Sequence, residues 1–160
     1  MSYFIFFFTT LLLIAIDLFG SYYFGKLLSD GSVISLIANV INLRYVENTG
    51  AAFGIFSSKP LLITIINITA LCGLIIYALV KMKELSKDGY LIPLSMVIAG
   101  GLGNIIDRII NGFVTDYFEF AFFDFPVFNF ADIFITLGAV AIIFLLIFEL
   151  IKDHKKDETK

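Results

Sequence analysis

Residues 61–80 read LLITIINITALCGLIIYALV, twenty positions without one acidic or basic side chain. Crossing about 30 Å of hydrocarbon takes roughly 20 apolar residues in a helix, so this stretch places the chain among membrane proteins. Three other runs meet a similar standard. Tyr3–Ile16 is uncharged, meets Asp17 and resumes from Leu18 to Gly25. Tyr90–Ile106 is uncharged for 17 residues, with Pro93 in the first turn, where a missing N–H is harmless. Ile133–Phe148 is uncharged for 16 and lies between Asp132 and Glu149. The expectation is an all-α integral membrane protein with four transmembrane helices, at about 3–25, 61–80, 90–110 and 131–151. The first run has no basic leader, exceeds an ordinary signal-peptide core and shows no small-residue cleavage site, so it is read as a retained helix.

Composition agrees. Of 160 residues, 59% are hydrophobic and 16% charged, against about 45–50% and 25% in soluble domains. A soluble globular domain is excluded. Eleven Lys and Arg against 14 Asp and Glu give a net charge of -3, which offers no footprint for nucleic acid. The single Cys72 cannot make an internal disulfide or a multi-cysteine zinc site, and the single His154 lies in the charged tail. His-dependent triads and His-rich metal centres are thereby disfavoured, and no metal or organic cofactor is expected.

Orientation follows from Lys and Arg in short loops. Lys81, Lys83 and Lys87, with Lys152, Lys155, Lys156 and Lys160, are 7 of the 11 basic residues. They mark the cytoplasmic side and put both termini there. Residues 26–60 and 111–130 then form the outer-face segments. In the first, Ile41, Leu43 and Tyr45 alternate with Asn42, Arg44 and Val46, the period of a short strand resting on the membrane. The second is a loop crowded with aromatics and acids. No repeat or linker divides residues 1–151, one domain, and residues 152–160 are expected to be an unstructured tail.

Ionisable groups in or beside membrane spans are costly and need a reason. Five stand out: Asp17, Asp107, Arg108, Asp116 and Asp132. Asn104, Asp107 and Arg108 fall at i, i+3 and i+4, which suggests one helical face carrying an amide, a carboxylate and a guanidinium. Asp107 and Arg108 also fit a structural ion pair at a helix end. Asp116 fits a solvated loop acid, and Asp132, three residues after Asn129, fits a first-turn acid at a helix N-terminus. As a pair, Asp116 and Asp132 suggest chemistry. Two carboxyl groups close together in a dehydrated site share one proton, and such a pair can hydrolyse a peptide bond with no covalent intermediate.

Four blocks of the sequence resemble the lipoprotein signal peptidase family, also called signal peptidase II, in order and spacing. Asp17 matches its intramembrane Asp, and Asn48-Thr49-Gly50-Ala51-Ala52-Phe53-Gly54 its outer-face Asn-x-Gly-Ala-Ala-Phe block. Gly100–Arg108 (GGLGNIIDR) with Gly112–Tyr117, and Phe125–Asp132 (FPVFNFAD), match the blocks around the last two helices. Ser21 stands where the family commonly has Lys, and Thr115 where Val is usual. The resemblance implies a four-helix bacterial membrane aspartyl protease with Asp116 and Asp132 as catalytic dyad. It makes Asp17, Asn48, Gly50, Asn104, Asp107, Arg108 and Asn129 substrate-binding or site-shaping. It further implies a diacylglyceryl-modified prolipoprotein substrate, cut on the amino side of the lipidated cysteine. A monomer is expected in the bacterial cytoplasmic (inner) membrane, among lipid, and the lysine distribution puts its active site near the outer face. The alternative weighed against it is a small proton- or cation-coupled transporter, since intramembrane acids also mark ion relays.

Overall fold

The computed structural model describes residues 1–50 and 60–157. Ala51–Gly54 of the outer-face block therefore lie outside the described residues. The chain opens with α1 (Ser2–Leu27), forms a hairpin of β1 (Val33–Ile37) and β2 (Ile41–Asn48), and continues into α2 (Pro60–Val80). A short α3 (Met82–Lys87), α4 (Leu91–Asn111), β3 (Val114–Phe120) and α5 (Phe130–Asp157) follow.

Among the described residues, three helices are long and apolar enough to cross a membrane, Ser2–Leu27, Leu91–Asn111 and Phe130–Lys152, and the stretch Thr64–Val80 within α2 is apolar but shorter. Large apolar side chains such as Phe4, Leu11, Phe144 and Phe148 stand on the outer surface. Water would penalise that arrangement and lipid does not. α4 sits centrally, packed against α1, α2 and α5. Its close approach to α5 depends on Gly100, where a Cβ would collide with the Ala131 carbonyl oxygen. One core, around Phe6, Met82, Tyr90, Leu94 and Ile98, fills the end bearing α3. A second, around Leu28, Leu43, Tyr117 and Phe118, lies beneath the sheet.

The sheet is antiparallel in the order β1-β2-β3. The strand expected from the alternation at 41–46 is β2. Residues 114–120, expected as loop, instead form β3, because β2 offers an edge and burial falls on five successive residues from Val114 to Phe118. Gly112 turns the chain out of α4 at φ 85°, in the left-handed region open to glycine, while its N–H bonds the Arg108 carbonyl at 3.0 Å.

Two further expectations need correcting. The Lys81–Asp88 loop contains α3, which contributes buried Met82 and Leu85 to the core. The tail expected to be unstructured continues α5 through Asp157.

Candidate active site

β3 leaves α4 and runs back along β2, so that Val46 pairs with Asp116 and Asn48 with Val114. Asn48 Nδ2 donates to Asp116 Oδ2 at 2.8 Å, and its Oδ1 accepts the Gly50 N–H at 3.0 Å. The solvated loop acid expected at 116 is therefore a buried strand residue, 1% exposed. Burial first, and then the Asp132 carboxylate nearby, push its carboxyl from the ordinary 3.8 up to about 7, against the opposing Asn48 bond and Arg108 charge.

Asp132 lies in the first turn of α5, where the N-terminal reading holds. Asn129 Oδ1 accepts the Asp132 N–H at 3.0 Å, and Asp132 Oδ2 accepts the Asn129 N–H at 3.3 Å. This reciprocal pair satisfies two donors that a helix start leaves free. The other carboxylate oxygen, Oδ1, accepts Asn104 Nδ2 at 3.1 Å. Asn129 Nδ2 in turn reaches Asp116 Oδ1 at 3.0 Å and Asn104 Oδ1 at 3.1 Å. Asp116 and Asp132 are thus joined through two amides borne on different elements, and both face one cleft of about 1060 Å³.

Asn48, Gly50, Asn104 and Arg108 line that cleft with the two acids. Arg108 Nη2 donates to the Gly50 carbonyl at 2.8 Å, while its buried Nε has no partner. Asn129 is buried behind the lining at 1% exposure. Asp17 and Asp107 lie apart from it. Asp17 Oδ1 accepts the Ala131 N–H at 2.8 Å, adding a second cap to the first turn of α5. Asp107 accepts the Thr115 N–H and the Asn111 side-chain amide, both at 2.7 Å. The three-residue face expected on α4 is thereby divided: Asn104 and Arg108 turn to the cleft and Asp107 to β3. The ion pair considered for Asp107 and Arg108 does not form, because adjacent helical positions diverge and each side chain has separate partners.

Two further polar side chains stand on the cleft wall, Asn67 of α2 and Thr136 of α5, neither of them among the expected site residues. Neither carries a charge, so scarcity of charge does not mark them. The available signal was one carboxamide inside an otherwise apolar helix, and a hydroxyl four residues after Asp132.

A multi-span helical protein that gathers two acids, three amides and a guanidinium into a cleft at one end defines the class of membrane-embedded enzymes. Two solved structures described as bacterial membrane enzymes share the fold. One has a TM-score of 0.78 at 29% identity, covering 94% of this chain and 90% of the other. The second has a TM-score of 0.75 at 30% identity, covering 92% and 93%. The family profile described as signal peptidase (SPase) II matches residues 9–148. A lipoprotein signal peptidase of Streptococcus pneumoniae is 37% identical over 87% of this chain and 90% of its own. One of Clostridium acetobutylicum is 42% identical over 78% and 79%. The chain belongs to the signal peptidase II family, and it is a peptidase. The transporter reading gains no support from these matches.

Proposed function

We propose that the protein is an aspartyl endopeptidase that removes signal peptides from diacylglyceryl-modified prolipoproteins, cutting on the amino side of the lipidated cysteine. The observation that carries the reading is the pairing of Asp116 and Asp132 through Asn129 and Asn104 in one cleft. Coupled carboxyls hold one proton between them. With that proton on Asp116, whose carboxyl sits near 7, Asp132 is the base. Asp132 takes a proton from water as the oxygen attacks the scissile carbonyl carbon, and Asp116 protonates the carbonyl oxygen. In the collapse of the resulting diol, Asp132 passes its proton to the departing amine and Asp116 recovers one from a diol hydroxyl. Arg108 holds Gly50 at the rim, and Asn48 orients Asp116.

The topology is that of four spans in one domain, residues 1–151. α2 begins on the side of the sheet and ends at α3, running from one end of the bundle to the other as α4 does. Ser2 Oγ meets Ser86 Oγ at 2.8 Å, and the Tyr90 hydroxyl donates to Glu149 Oε2 at 3.0 Å. The start of α1, α3 and the end of α5 therefore share the end rich in lysine, which is assigned to the cytoplasm. The cleft then opens near the outer face of the cytoplasmic membrane, where a lipid-anchored substrate and water both have access. One chain supplies every residue named, which fits a monomer. Incubation of the purified protein with a diacylglyceryl-modified prolipoprotein should release a product whose amino terminus is the lipidated cysteine. Recovery of intact substrate alone would contradict the assignment.

A further inference from the structure

Below the two acids the cleft continues between α2 and α5, with Ile133 and Leu137 among its apolar lining. Asn67 lies about 10 Å along α2 from Pro60, at 1.5 Å per residue. Thr136 follows Asp132 by four residues and so shares its face of α5. Membrane helices usually satisfy such hydroxyls internally. Thr9, Thr10 and Thr69 each donate to the carbonyl four residues earlier, at 2.7, 2.8 and 2.8 Å. Neither Thr136 nor Asn67 has a hydrogen-bond partner among the described residues, and both line the cleft. A carboxamide left unmatched in hydrocarbon is costly, which makes it a sign of a ligand.

We propose that Asn67 and Thr136 hold the backbone of the substrate where its membrane-embedded segment unwinds on the amino side of the cut bond. This rests on the peptidase reading above. A helical signal segment hides its scissile bond within its own hydrogen bonds, so presenting that bond to Asp116 and Asp132 requires an extended stretch. In hydrocarbon each freed N–H and C=O must find a partner. A carboxamide supplies one donor group and one acceptor, and a hydroxyl supplies both, matching the two groups of a peptide unit. The recognised chemistry is the main chain, which suits an enzyme that must accept many different signal segments.

The test compares kcat and KM of the full-length protein with those of Asn67→Leu and Thr136→Val, using a diacylglyceryl-modified prolipoprotein and following thermal unfolding in parallel. Each variant is expected to raise KM by about tenfold, the equivalent of ~1.4 kcal/mol, with kcat within about twofold and unfolding temperature unchanged. Unmoved KM in both variants would overturn the inference, as would a KM rise matched by a fall in thermal stability. Absence of cleavage by the unaltered protein would instead defeat the peptidase reading and this inference with it. Cleavage with unmoved KM defeats this inference alone.

Discussion

The carboxylate of Asp17, on the first helix, accepts the backbone N–H of Ala131, on the last, across 114 positions of sequence and 2.8 Å of space. Ala131 immediately precedes Asp132. One turn of α5 is therefore fixed from outside by Asp17, from within by Asn129, and at its first N–H by the Tyr117 hydroxyl, 3.3 Å from Phe130 N. The acid borne on that turn is held relative to Asp116, the neighbour of Tyr117. An intramembrane carboxylate that never reaches the cleft thus bears on the geometry within it.

Replacing Asp17 by Ala leaves the Ala131 N–H buried without a partner. The expected loss of stability is about 1–3 kcal/mol, read as a lower unfolding temperature in detergent. Asp17→Asn, which keeps an acceptor oxygen, should lose less. Equal stability of the Ala variant and the unaltered protein would show that the bond does not secure α5.

Gly103 makes the Asp17 contact possible, since a Cβ there would collide with Asp17 Oδ2. Gly103→Ala should displace the carboxylate and cost about 1–3 kcal/mol by overpacking. Gly73, in α2, has nothing within 4 Å of such a Cβ. Gly73→Ala should be neutral or raise stability by up to ~1 kcal/mol through helix propensity. Thermal unfolding of the two variants side by side checks the contrast, and equal effects would contradict it.

The raised Asp116 carboxyl sets a pH dependence. A raised acid binds its proton more tightly in the folded chain than in the unfolded one. Its contribution to stability is complete below 3.8 and lost as the pH rises to about 7. In the proposed mechanism the pair carries one proton, so kcat/KM should fall as the pH passes about 7. Asn48→Ala removes a bond that favours the carboxylate, so the alkaline limb should move to higher pH. A limb that stays in place or moves down would show that Asn48 does not tune the acid.

The long apolar helices were legible because an uncharged run near twenty residues has one economical reading, whereas α3 and the charged end of α5 have no such run. β2 was legible because Ile41, Leu43 and Tyr45 alternate with its other face. β3 was not, since Tyr117 and Phe118 are both buried and the pattern never alternates. β1 was not either, since all five of its residues are exposed and show no buried face. Asp116 and Asp132 could be singled out by scarcity of charge, but their link through Asn129 and Asn104 depends on strand register and helix packing. Asp17 could be noticed and not explained, since its partner is a backbone N–H more than a hundred residues away. Asn67 escaped because an amide does not interrupt a run defined by charge.

Joint action of Asp116 and Asp132 on a peptide bond is the step on which the proposed function depends. Its most direct test is the rate of cleavage of a diacylglyceryl-modified prolipoprotein by Asp116→Asn, by Asp132→Asn and by the double variant. Because each acid needs the other, either single change should lower kcat by about a thousandfold or more, ~4 kcal/mol, and the double variant should lose little beyond that. Cleavage at the rate of the unaltered protein by either single variant would contradict the account.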